Sequence, residues 1–140
     1  MLYKPLVVFF HTSVCPFCSN FKRRVFKPYW LRGDIHAVPV EVGMSEDTKF
    51  IENPEMKEMP SVMEQEFLAA GSMNKGGPVV PAVKVVSPAQ LLDEMERPWR
   101  VHEQVFIFPG GEEEDFHKAV RKKMDKYIER RAYIHSKHLR

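Results

Sequence analysis

The sequence predicts an α/β domain, a four-stranded mixed sheet flanked by helices. Three observations carry that expectation. Strand-like and helix-like stretches follow in the order strand, helix, strand, helix, strand, strand, helix, which layers helices on a sheet. The first strand, Tyr3–Phe10, is continuously apolar from Leu6 onward, the pattern of a strand covered on both faces. The chain's 2 cysteines, Cys15 and Cys18, stand directly after that strand and at the head of the next helix.

The first strand gives way to a short polar turn, in which Ser13 is a candidate helix cap. A helix follows over about Cys15–Lys27, with Pro16 tolerated in its first turn because no N–H is needed there. Phe17, Phe21 and Val25, with Cys18, form its apolar stripe and are assigned to the core, while Asn20, Lys22, Arg23 and Lys27 face solvent. Pro28 ends or kinks this helix. Gly33-Asp34 turns the chain into a second strand, Ile35–Val42, and a right-handed crossover sets it parallel to the first. Residues 43–59 read as a loop with one helical turn opening at Asn53-Pro54-Glu55. The second helix is Ser61–Ala70, with Val62, Glu66, Leu68 and Ala69 partly buried and Gly71 as its C-terminal stop.

After a loop over residues 72–78, Val79–Val86 is the third strand, and its Pro81 belongs at a strand start or an edge. Ser87-Pro88 opens a short inserted helix, Pro88–Glu96. Gln104–Phe108 is the fourth strand, free to run antiparallel to the third, and Pro109-Gly110-Gly111 is a tight turn. The last helix, Glu112–Ile134, crowds acids at its N-terminus and bases at its C-terminus, the favourable order for the helix dipole. Its buried stripe is Phe116, Ala119, Val120, Met124, Tyr127 and Ile128.

At 140 residues and 44% apolar, the chain suffices for one domain with a real core and is too apolar for disorder. The net charge of +2 hides an uneven distribution: residues 117–140 hold nine Lys/Arg against two acids, and residues 1–116 hold twelve against seventeen. An acidic body with a basic end implies an anionic partner for that end. The division expected is a domain over 1–128 and a basic helical extension over 129–140. No stretch approaches the ~20 apolar residues of a membrane span. The apolar run from Leu6 is short and leads into the cysteines, so a secretory signal is not expected. Two cysteines are too few for a secreted disulfide framework, so a reducing compartment, cytoplasm or mitochondrial matrix, is expected.

The cysteines carry the chemistry. At the head of a helix the first N–H groups lack intrahelical partners, and such settings hold a thiol at a pKa of roughly 3.5–7.5 against about 8.5 when free. Cys15 takes that position, and Cys18, one turn on, is within reach of a mixed disulfide formed by Cys15. With His11 the cysteines give three donors where structural zinc takes four, so no metal is expected.

Cys15-Pro16-Phe17-Cys18 after strand one, Val79-Val80-Pro81 before strand three and Gly110-Gly111 after strand four together resemble the glutaredoxin branch of the thioredoxin superfamily, over roughly residues 5–128. The resemblance implies a thioredoxin-like fold with an inserted helix between strands three and four. It implies Cys15 as nucleophile and Cys18 as resolving thiol. It makes Val80-Pro81 a Val–cis-Pro pair facing the cysteines, where substrate backbone pairs as an added strand. Gly110-Gly111 with Glu113 is similar to the segment that holds the γ-glutamyl end of glutathione, a possible co-substrate; no bound cofactor is implied. The chain departs from the family where a Lys usually precedes the first cysteine: Thr12 and Ser13 stand there, with His11 further back. The glycyl carboxylate of glutathione thereby loses its familiar cation. The connection from Pro81 to Gly110 is also longer, and the basic extension is additional.

Two functions follow as expectations. One is a thiol–disulfide oxidoreductase acting on protein or glutathione mixed disulfides. The other is an accessory subunit of a large assembly, mitochondrial ribosomal or respiratory, docked on RNA or an acidic protein surface through Arg130, Arg131, Lys137 and Arg140.

Overall fold

The computed structural model describes residues 4–43, 59–72, 77–86 and 104–138. The inserted helix Pro88–Glu96, the turn at Asn53-Pro54-Glu55 and Arg140 lie outside the described residues. Four strands, β1 (Leu6–His11), β2 (His36–Glu41), β3 (Ala82–Val86) and β4 (Gln104–Ile107), form one sheet in the order β2-β1-β3-β4. β1 pairs parallel with β2 and antiparallel with β3, and β3 pairs antiparallel with β4. This is a thioredoxin-like α/β architecture.

β1 lies inside the sheet with both faces covered, which is why its sequence shows no alternation. Val7 and Phe9 face one core with Phe21, Phe26, Val83 and Phe116; Leu6, Val8 and Phe10 face the other with Met63, Phe67 and Val86. β2 is an edge strand, so Pro39, with no N–H to donate, is accommodated in it. The third strand is shorter than expected. Val79–Pro81 precede it, and the Val80–Pro81 peptide bond is cis.

The helix after the cysteines does not stop at Pro28. It runs as α1 (Pro16–Phe21), a π-helical stretch over Lys22–Phe26 and α2 (Lys27–Arg32). Pro28 offers no N–H to the preceding turn. The wider turn spares part of that loss, since Lys27 N–H reaches back five residues to Lys22 O. Arg121, from the last helix, donates to Arg24 O at 3.2 Å, giving that carbonyl the donor that Pro28 cannot supply. The segment ends at Gly33, left-handed at φ 72°.

α3 (Met59–Gly71) covers the second core with Met63 and Phe67, while Val62 and Glu66 are half-buried as expected. Leu68 and Ala69 are exposed, contrary to the sequence reading, because they lie on the opposite side from the 63/67 stripe. α3 does end at Gly71, though not through a left-handed conformation. It is the last helical residue, buried, and a Cβ there would meet Pro78 Cα and Cβ at 2.6 Å. Close approach of the segment leading to Pro81 demands this glycine. Ser72 caps the end instead, donating from N to Leu68 O at 3.1 Å and from Oγ to Ala69 O at 2.6 Å.

Against α3 lies an unexpected buried charge. Lys84, in the middle of β3, is fully enclosed; it pairs with Glu66, contacts Met63 Sδ at 3.1 Å and lies 5.5 Å from the Phe106 ring centroid. Burial lowers its pKa from the ordinary lysine value, and Glu66 opposes that shift. Half-burial of Glu66 thus has a specific partner.

α4 (Glu113–His138) packs Phe116, Val120, Met124 and Tyr127 on the first core. Ala119, expected in this stripe, is exposed, and His117 is enclosed instead. Beyond Ile128 every described side chain of α4 is exposed. Among the described residues no helix is long and apolar enough to cross a membrane.

Candidate functional site

The turn after β1 sets the head of α1 at the carboxyl end of that strand. The cap there is Cys15, not Ser13: its backbone is extended and its Sγ accepts from Cys18 N–H at 3.1 Å. Ser13 is exposed and makes no such bond, because the helix starts two residues later than a Ser13 cap requires. Cys15 and Cys18 are joined as a disulfide, with their Cα atoms 5.2 Å apart. Cys15 is half-buried, whereas Cys18 is 2% exposed and packed in the first core. The less buried cysteine is thus also the one whose sulfur receives the helix N–H, a setting that favours a thiolate in a reduced pair.

Two apolar side chains flank the disulfide in the open, Val14 at 88% and Phe17 at 59% exposure. Phe17 is therefore not a core residue as its spacing from Phe21 implied. In the first helical turn it lies beyond the end of β1, over a cleft. The Val80 carbonyl oxygen is 3.9 Å from Cys15 Sγ, which brings the Val80–Pro81 pair to the cysteines as the family resemblance implies.

The cleft, about 260 Å³, begins one residue from the disulfide, with neither cysteine in its wall. Phe17, Val80 and Pro81 form the wall nearest the sulfurs, and Gly110, Gly111, Glu113, Phe116 and His117 line the rest with their neighbours. All five residues that the resemblance assigns to substrate binding thus share one cleft. The two glycines differ in kind. Gly111 is left-handed at φ 66°, which the turn into α4 needs; Gly110 has neither a positive φ nor a neighbour within 4 Å of a Cβ, and simply leaves the cleft wide.

Glu113 has protein partners of its own. Asn20 Nδ2 donates to Glu113 Oε1, and Arg23 donates to Asn20 Oδ1 at 3.0 Å. Arg24 pairs with Glu114 at 2.5 Å. Asn20 is accordingly half-buried rather than solvent-facing; it ties α1 to the head of α4, a long-range contact invisible to local periodicity.

Sequence reading missed His117. It is fully enclosed, it lines the cleft, and neither ring nitrogen has a hydrogen-bond partner. Burial lowers its pKa below the usual 6.5, and Arg24 and Arg121 act the same way; Glu113 and Glu114 oppose them. A signal was available: His117 lies three residues before Val120 and seven before Met124, on the buried face. His11, at the end of β1, is half-buried and stacks on Phe9 with ring centroids 5.0 Å apart. Its pKa is also lowered, mainly by burial. Among the described residues no three His, Cys, Asp or Glu side chains converge as a metal ion needs. No protein-family model matches the chain, and no curated protein matches it either.

Proposed function

We propose that the chain is a thiol–disulfide oxidoreductase of the glutaredoxin type, acting through Cys15 and Cys18 on protein disulfides or glutathione mixed disulfides. The observation that carries this reading is the asymmetry of the two sulfurs. Cys15 is half-buried, its Sγ receives a helix N–H and lies beside Val80 O, while Cys18 is buried in the first core. In the reduced protein, Cys15 thiolate attacks one sulfur of a substrate disulfide; that bond breaks and the other sulfur leaves as a thiolate that takes a proton from water. Cys18 loses its proton and displaces the substrate sulfur from Cys15. The substrate is reduced by two electrons and the protein ends as the Cys15–Cys18 disulfide. A thiol reductant, a dithiol or two monothiols, returns the electrons.

The test is Cys18→Ser, which cannot resolve the mixed disulfide. Mild oxidation is expected to trap a partner on Cys15, and in the reduced wild type Cys15 is expected to alkylate much faster than Cys18. Ordinary alkylation kinetics, no trapped species and no disulfide reductase activity would together overturn the reading.

A second reading, an accessory subunit docked in a large assembly, draws support from the continuation of α4 beyond Ile128, where every described side chain is exposed. It expects assembly to survive Cys15→Ser and to fail when residues 129–140 are removed.

A further inference from the structure

The cleft beside the disulfide has a chemical polarity of its own. Phe17, Phe116 and Pro81 give it apolar walls, and Glu112, Glu113 and His117 stand together at its α4 end. Among the described residues no Lys or Arg lines it. The arginines on the nearby face of the α1 segment are engaged elsewhere, Arg24 by Glu114 and Arg23 by Asn20.

The acids alone would say little, since carboxylates at a helix N-terminus are ordinary dipole partners. His117 adds an independent observation. Its side chain is 0% exposed, and both ring nitrogens lack a hydrogen bond although Glu113 Oε1 is 3.5 Å and Glu114 Oε1 3.8 Å away. A buried ring nitrogen without a partner is destabilising until something supplies one. Burial favours the neutral ring, which has one N–H and one acceptor nitrogen; the nearby carboxylates can take the N–H, but as acceptors they leave the other nitrogen unserved. The α4 end of the cleft therefore asks for a donor, and its carboxylates favour a cationic one.

We propose that this cleft selects disulfide partners by charge: it seats a polypeptide segment with a Lys or Arg next to its cysteine, the cationic head at Glu112, Glu113 and His117 and the aliphatic stem against Phe17 and Phe116. It disfavours glutathione, an anionic tripeptide. The long stem of a basic side chain suits an apolar wall ending in acceptors. This inference rests on the dithiol oxidoreductase reading and narrows its substrate to basic polypeptide disulfides.

The experiment uses the full chain, reduced, against three substrates: a peptide disulfide with Lys flanking the cysteine, the same peptide with Glu, and a peptide–glutathione mixed disulfide. Each rate is divided by that of dithiothreitol on the same substrate, which removes differences in intrinsic reactivity. At low ionic strength the Lys-flanked substrate is expected to react about tenfold faster than the other two, with the gap closing at high salt. Glu112→Lys is expected to abolish or invert the preference; Glu112→Gln, a milder change, is expected to halve it or more. Equal normalised rates, or a preference unmoved in both variants, overturn charge selection while leaving the dithiol chemistry standing. Failure of the reduced chain to exchange with any of the three overturns the oxidoreductase reading and this inference with it.

Discussion

His117 joins burial, charge and the cleft in one side chain. Its folded-state pKa is lowered chiefly by burial, so the unfolded chain, with a histidine near 6.5, takes up the proton first. Stability is therefore full above about pH 7 and declines as pH falls through 6.5 toward the folded-state value. His11 contributes in the same direction, its burial outweighing Glu41 and reinforced by Lys22. His117→Phe puts an apolar ring among Phe21 and Phe116, whose centroids lie 5.4 Å apart. We expect this variant to be at least as stable as the parent at pH 7.5 and to lose less stability between pH 7 and 5, read by urea unfolding at several pH values. An unchanged pH slope would mean that the imidazole is not held neutral by burial. Single residues also show where sequence reading stops. Cys15 and Cys18 were legible because their chemistry is tied to a local pattern, a strand end followed by a helix head. His117 and Lys84 were not, because residue type argues for exposure and only contacts from distant segments reverse it.

At the scale of elements, the structure turns on contacts that join segments far apart in the chain. β1 and its apolar run were readable from five residues, Leu6–Phe10, since a strand with no alternation has only one comfortable place in a layered fold. The continuation of the helix past Pro28 was not readable, because the guanidinium that meets Arg24 O belongs to Arg121, 97 positions away. Gly71 ends α3, the common local meaning of such a glycine, but it also makes room for Pro78 and so for the segment that brings Val80 to Cys15, which no local pattern shows. α3 is fastened to the sheet by Lys84 and Glu66. Glu66→Ala leaves an ammonium buried without its counter-ion and is expected to cost about 3 kcal/mol. Adding Lys84→Met removes that charge and fills the space beside Met63 and Phe106, so most of the loss should return. A double-mutant cycle in urea unfolding measures the coupling. Additive effects would show that the pair does not act as a unit.

The molecule combines an α/β body with a last helix that continues past its last described core contacts. Among the described residues, the last side chains of α4 in the hydrophobic core are Tyr127 and Ile128. The helix continues to His138, so residues 129–138 extend it by about 15 Å at ~1.5 Å per residue. Fold and overhang have separate physical bases: burial holds the first, and nothing described in the second is buried. Residues 129–140 carry four Lys/Arg against one acid. Removing them changes the formal net charge from +2 to −1. A chain ending at Ile128 should therefore still unfold cooperatively, with stability within about 1 kcal/mol of the full chain, since surface changes away from packed contacts have small effects. The same truncation should abolish salt-sensitive retention on a polyanion such as heparin, because the charges that release counterions are gone. Unfolding of the truncated chain at moderate urea would place the end of α4 within the fold; unchanged retention would move the anion-binding surface onto the body, where Lys118, Lys122 and Lys126 on the exposed face of α4 are the next cations to test.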